Sequence, residues 1–202
     1  MTLTVKIKIC GLCRPSDIDA VNLEKPEYIG FVFAKSHRQV TPQQALALRG
    51  QLRAGIMPVG VFVDEARENI VALVQNGIID AIQLHGSEDE NYIHKLKAVT
   101  NVPIIKAVAV QNKGDAQKWA GTAADYLLLD QKSGGTGESF DWDLIGQIER
   151  PFFLAGGLNE ENITRAIKKL RPFAVDVSSG VVTNRRKDPG KIKEFIRRAR
   201  NV

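Results

Sequence analysis

Cys10, Asp130 and three turns of small residues are the places where this chain can do chemistry. Cys10 closes the run VKIKIC, and a cysteine there is either a small buried thiol or, as a thiolate, a base or nucleophile. Cys13 lies three residues on, but there is no second Cys pair and His37, His85 and His94 are scattered, so no metal or redox centre is indicated. Asp130 follows Leu127-Leu128-Leu129, where a carboxylate is either a helix cap or a site residue whose proton burial would hold on, as an acid catalyst requires. The stretch Gly134-Gly135-Thr136-Gly137 has more glycine than a plain connection needs and reads as a lid or a close-approach loop. Gly156-Gly157 and Ser178-Ser179-Gly180 are turns whose uncovered amides suit a phosphate.

For these residues to meet, the secondary structure must deliver them to one end of the molecule. Short β-branched runs predict strands over 5–10, 28–33, 57–63, 78–84, 103–109, 125–130, 151–157 and 173–179. Helix-period segments between them predict helices over 16–25, 41–53, 65–76, 88–98, 112–120, 141–149, 160–170 and 189–200. The strand ends recur every 21 to 30 residues. Eight such units predict an α/β fold, a (β/α)8 TIM barrel, as a single domain over 1–202. An open doubly wound sheet usually carries G-x-G-x-x-G after its first strand, and here that place holds Cys10-Gly11-Leu12-Cys13. In a barrel, chemistry belongs at the C-terminal strand ends, and the loops after strands seven and eight commonly hold phosphate. Strand parity puts Lys6, Lys8 and Cys10 on one face, with Val5, Ile7 and Ile9 on the other. With Cys10 at the mouth, Lys8 points inward beneath it and needs a carboxylate, for which Asp130 and Asp176 are the inward candidates.

Composition narrows the partners. The chain is 44% apolar and 25% charged, with a net charge of +5. Eight basic and two acidic residues between Asn184 and Arg200 carry +6 of it, leaving −1 elsewhere. Ile192, Phe195, Ile196 and Ala199 fall at helical spacing in that stretch, so it reads as a core-facing helix with solvated basic side chains rather than a nucleic-acid face. Lys6 and Lys8 interrupt any signal-like apolar run, and no stretch is long enough to span a membrane. Two closely spaced cysteines cannot staple a fold of this size, so a reducing cytoplasm is expected.

The ordered motifs Lys8-Ile9-Cys10-Gly11, Ser36-His37-Arg38, Val59-Gly60-Val61-Phe62-Val63, Gln83-Leu84-His85-Gly86, Leu127-Leu128-Leu129-Asp130, Gly134-Gly135-Thr136-Gly137 through Phe140-Asp141-Trp142, Ala155-Gly156-Gly157-Leu158 and Val175-Asp176-Val177-Ser178-Ser179-Gly180-Val181 span nearly the whole chain. In them the sequence resembles the phosphoribosylanthranilate isomerase family of tryptophan biosynthesis. The resemblance implies a (β/α)8 barrel without cofactor or metal that performs an Amadori rearrangement on a small phosphorylated substrate. It implies Cys10 as general base, Asp130 as general acid and Arg38 as the group meeting the anthranilate carboxylate. Gly156, Gly157, Ser179 and Gly180 would form the phosphate cradle, with Asp176 close to substrate. A sibling isomerase of histidine biosynthesis would share fold and phosphate site but carries aspartate at the Cys10 position. Val182 departs from the family pattern, in which many members have an acidic residue there. The fold is compatible with both a monomer and a dimer. A base at Cys10 must be a thiolate, so its pKa must be lowered; Lys8, Asp130 and the helix N-termini after strands seven and eight are the candidates.

Overall fold

The computed structural model describes residues 5–130 and 141–202, so the glycine-rich stretch read above as a lid lies outside the described residues. Eight strands alternate large apolar side chains between two faces: β1 (Lys6–Cys10), β2 (Tyr28–Val32), β3 (Met57–Phe62), β4 (Ala81–Leu84), β5 (Ile104–Ala109), β6 (Tyr126–Asp130), β7 (Phe152–Leu154) and β8 (Ala174–Val177). Each pairs in parallel with the next, and β8 returns to β1 in the register Lys6↔Ala174 and Lys8↔Asp176, closing the barrel. One parity, including Ile7, Ile9, Ile29, Phe31, Leu127 and Leu129, packs outward under the helices. The other, including Tyr28, Val59, Ile105, Leu128, Phe153 and Ala174, fills the interior. The barrel is therefore a solid core, and chemistry is left to its rims.

Among the described residues six α-helices cover it: α1 (Pro15–Glu24), α2 (Pro42–Arg49), α3 (Arg67–Gln75), α4 (Glu90–Lys97), α5 (Ile163–Leu170) and α6 (Pro189–Arg200). α2 starts as its sequence predicts, with Thr41 Oγ1 accepting from the Gln44 amide and Pro42 in the first turn. Two expected helices are corrected. The segments 112–120 and 141–149 hold only single 3-10 turns, Gln117–Trp119 and Trp142–Leu144. Gly114 at φ +97° and Gly146 at φ +67° occupy backbone that a helix cannot use, and neither segment has an apolar stripe strong enough to override them.

α6 buries Ile192, Phe195, Ile196 and Ala199, as the spacing predicts. Its basic residues serve the fold: Arg197 and Arg198 pair with Glu194, and Arg200 donates to the carbonyls of Glu24 and Lys25 at the end of α1. Between β8 and α6 lies a 3-10 turn, Ser179–Val181, and a short antiparallel ribbon of β9 (Val182–Thr183) and β10 (Arg186–Lys187). Asn184 and Arg185, at φ +50° and +60°, reverse this ribbon as a hairpin turn does. Among the described residues no helix is long and apolar enough to cross a membrane.

Candidate active site

Cys10 ends β1 at 8% exposure, its Sγ lying against the bare Cα of Gly30, its partner in the β1–β2 register. A Cβ on Gly30 would come 2.6 Å from that sulfur, which is why a glycine interrupts an otherwise bulky strand. Two residues down, Lys8 is fully buried and its Nζ stands 3.1 Å from Asp176 Oδ1. Of the two carboxylates expected for Lys8, the direct β1–β8 pairing selects Asp176. Burial alone would lower the Lys8 pKa, but Asp176 and Cys10 beside it hold it above the ordinary value, so Lys8 stays charged.

Asp130 ends β6 with 14% of its side chain exposed and its Oδ2 3.6 Å from His85 Nε2. His85 Nδ1 is 2.8 Å from the Gln83 amide nitrogen; with that nitrogen donating, the ring proton sits on Nε2, toward Asp130. Burial, and then Lys8, push the His85 pKa down, so the imidazole is neutral. Residues 83 and 85 share the inward parity of β4 with Ala81.

Arg38 reaches the same mouth from the loop after β2. Its Nη1 donates to Ser178 Oγ at 2.5 Å, and Ser178 Oγ in turn donates to the Cys10 carbonyl at 3.2 Å. Gly11 leaves room for the Arg38 side chain, whose Cδ would lie 2.9 Å from any Cβ there. The two small-residue turns adjoin. A Cβ on Gly180 would run into the Leu158 carbonyl, so loops seven and eight pack backbone to backbone. Gly156 and Gly157 take φ +84° and +64°. α6 begins at Pro189, as expected, and α5 at Ile163, three residues later than expected; Ser179 opens only a single 3-10 turn, so the helix N-termini lie beyond the two turns rather than at them. Asn159 and the ribbon occupy the intervening chain, so neither turn opens directly onto the first turn of an α-helix.

The electrostatic expectation for Cys10 is also corrected. Burial pushes the thiol above its ordinary value, Lys8 pulls it back, Asp176 opposes Lys8, and Lys187 adds a second downward pull. Burial wins, so the resting group is a thiol. Lys187 and His85 are ionisable members of this ring to which the sequence alone assigned no part. Parity along Ala81, Gln83 and His85 carries a signal for the second; for Lys187 the only signal is the turn-forming Asn184.

A closed (β/α)8 barrel with a thiol, a carboxylate, a neutral imidazole and several cations around its C-terminal mouth defines a barrel enzyme acting on a small anionic substrate. The comparisons are specific. The family model for "N-(5'phosphoribosyl)anthranilate (PRA) isomerase" matches residues 7–198. The N-(5'-phosphoribosyl)anthranilate isomerase of Endomicrobium trichonymphae is 48% identical over 201 residues, 98% of this chain and 99% of its own. The crystal structure of phosphoribosyl anthranilate isomerase from Thermotoga maritima superposes with a TM-score of 0.89 at 38% identity, over 98% of this chain and 100% of that one. A phosphoribosyl anthranilate isomerase in complex with reduced 1-(o-carboxyphenylamino)-1-deoxyribulose 5-phosphate gives 0.86 at 36% identity, over 98% and 100%. The chain belongs to the N-(5'-phosphoribosyl)anthranilate isomerase family.

Proposed function

We propose that Cys10 is the general base and Asp130 the general acid in the reaction of this family, the Amadori rearrangement of N-(5'-phosphoribosyl)anthranilate in tryptophan biosynthesis. The activity follows from the family match over residues 7–198. The assignment of roles rests on one observation: Cys10 and Asp130 are the inward-facing last residues of β1 and β6, facing one mouth. Asp130 gives its proton to the ribose ring oxygen as the C1'–O bond opens and the anthranilate nitrogen's lone pair forms the C1'=N bond. The Cys10 thiolate then takes the C2' proton, and the electrons of that bond form the C1'=C2' bond of an enolamine, which tautomerises to the ketone. His85 Nε2–H faces the carboxylate that Asp130 becomes. Purified protein mixed with phosphoribosylanthranilate generated in situ should quench the anthranilate-type fluorescence; an unchanged signal refutes the activity.

Arg38 fits the substrate carboxylate as a charge-assisted partner worth roughly 1.5–3 kcal/mol. Arg38→Ala is expected to raise KM about 10- to 100-fold with a smaller change in kcat, measured by steady-state kinetics. An unchanged KM would move the carboxylate elsewhere.

Gly156, Gly157, Ser179 and Gly180 supply the phosphate cradle in this reading, supported by the abutting loops and the absence of lysine or arginine in either turn. Inorganic phosphate should therefore inhibit competitively. Gly157→Val, which forces a β-branched residue into positive φ, should raise the phosphate inhibition constant at least about tenfold. Neutralising Arg197 and Arg198, which are paired to Glu194, should not. The reverse pattern would place the anion on α6.

A further inference from the structure

Among the eight basic residues between Asn184 and Arg200, Lys187 alone is buried, at 9% exposure. The β9–β10 ribbon turns it back over the barrel mouth, where its Nζ donates to the Ser178 carbonyl at 2.8 Å. That is one acceptor for three N–H groups, and among the described residues no carboxylate stands at ion-pair distance. The other buried lysines differ: Lys8 is neutralised by Asp176 and Lys106 by Glu88. The cross-strand neighbour of Lys187 is Val182, so the ribbon supplies no countercharge either. Burying an unpaired ammonium costs stability, and such a charge is kept where it acts on an anion.

Ser178 links Lys187 to the end of β1, since its carbonyl accepts from Lys187 Nζ and its hydroxyl donates to the Cys10 carbonyl. The groups acting most strongly on Lys187 are Cys10 on β1, Arg38 after β2, Asp17 on α1 and Asp176 on β8. Asp176 is engaged by Lys8, and Asp17 accepts from the Cys13 and Arg14 amides. Arg38 is a cation. Cys10 remains, and it is the group that most favours the charged form of Lys187. On Cys10 itself Lys8 is the strongest downward pull, by its charge and by a hydrogen bond, and Asp176, paired to Lys8, opposes it. Lys187 adds a further downward pull with no carboxylate at ion-pair distance among the described residues.

We propose that Lys187 is a positioning residue for the base: its unneutralised ammonium, pinned to the Ser178 carbonyl, adds to Lys8 the charge that makes a thiolate at Cys10 accessible. The proposal deepens the reading of Cys10 as base and rests on it. Burial lowers the Lys187 pKa to about 8, so the ammonium is present at neutral pH and is lost as the pH rises past that value. The Cys10 thiolate is thus assisted at neutral pH and loses its assistance in the alkaline range.

The test measures the thiolate directly. In a Cys13→Ser background, the rate of iodoacetamide alkylation at Cys10 is followed from about pH 6 to about pH 10 for Lys187, Lys187→Met and Lys187→Arg proteins, with folding checked by circular dichroism. Lys187→Met should alkylate at least about tenfold more slowly at pH 7, an apparent rise of one pH unit or more. Its kcat should fall by a similar factor with KM within about twofold, and Lys187→Arg should restore both. Val182→Glu, which keeps Lys187 but brings a carboxylate opposite it, should move the alkylation profile in the same direction. Superimposable profiles for Lys187→Met and the parent would overturn the proposal, as would a loss confined to KM, which would make Lys187 a ligand of a substrate anion. Full activity of Cys10→Ser would defeat the base assignment alone, since the alkylation profiles report the coupling without any turnover.

Discussion

Cys10→Ser and Asp130→Asn are each expected to lower kcat by about 10²- to 10⁴-fold while leaving KM and the melting temperature close to the parent values. Serine keeps the volume but is far too weak an acid to supply an anion at this position, and asparagine keeps the shape of Asp130 without a proton to give. The heavier demand falls on Cys10, where burial has already raised the thiol, so that every tenfold loss of thiolate adds about 1.4 kcal/mol before the proton transfer begins. The sign for pH follows. A thiol whose pKa is raised yields more thiolate as pH increases, so the alkylation rate of Cys10 should climb through neutrality toward the alkaline range, less steeply where Lys187 loses its proton near 8. Near-parent turnover in either variant, measured by fluorescence, removes that residue from the mechanism.

Glu88→Ala should cost about 3–5 kcal/mol of stability, read by urea unfolding, although Glu88 makes none of the proposed substrate contacts. Its carboxylate is buried and accepts from three donors, Lys106 Nζ and the amides of Asp64 and Gly86, each at 2.9 Å. Lys106 Nζ also donates to the Gly86 carbonyl at 2.7 Å. Together these bonds tie the loops after β3 and β4 to β5. Alanine strands the Lys106 ammonium beside Trp119 and leaves two amides without their acceptor. Adding Lys106→Met should recover a large part of the loss, because the stranded charge is then gone. A single variant within about 1 kcal/mol of the parent, or a double variant no better than the single, contradicts this account.

How far these features could be read from residues alone depends on the range of the interaction. Parity along β1 is local, and it placed Lys8 beneath Cys10 and kept Ile7 and Ile9 outside. The apolar spacing of Ile192, Phe195, Ile196 and Ala199 is equally local and predicted the buried face of α6. The failures at 112–120 and 141–149 came from single glycines whose left-handed backbone outweighed a weak helical pattern. Gly30 carried a readable signal, since a glycine inside a strand marks a close approach, but not the identity of the sulfur that approaches. Lys187 was hidden because its reversal uses Arg185 in a left-handed conformation, a residue that gives no turn signal, inside a block that looks uniformly solvated. The acidity of Cys10 balances charges from β1, β8 and β10, and no local pattern contains that sum.

The seam between β1 and β8 has a kinetic meaning. Lys8 and Asp176 are 168 residues apart in the chain, and the same separation divides Cys10 from the Ser178 hydroxyl bound to its carbonyl. Until the eighth strand docks, the first presents a lysine without its carboxylate and a thiol open to solvent. Closing that gap is the longest-range ordering step in the ring and falls late on any path that builds neighbouring βα units first. Catalytic competence therefore arrives only with closure of the ring, and turnover during refolding should lag behind the recovery of helical signal.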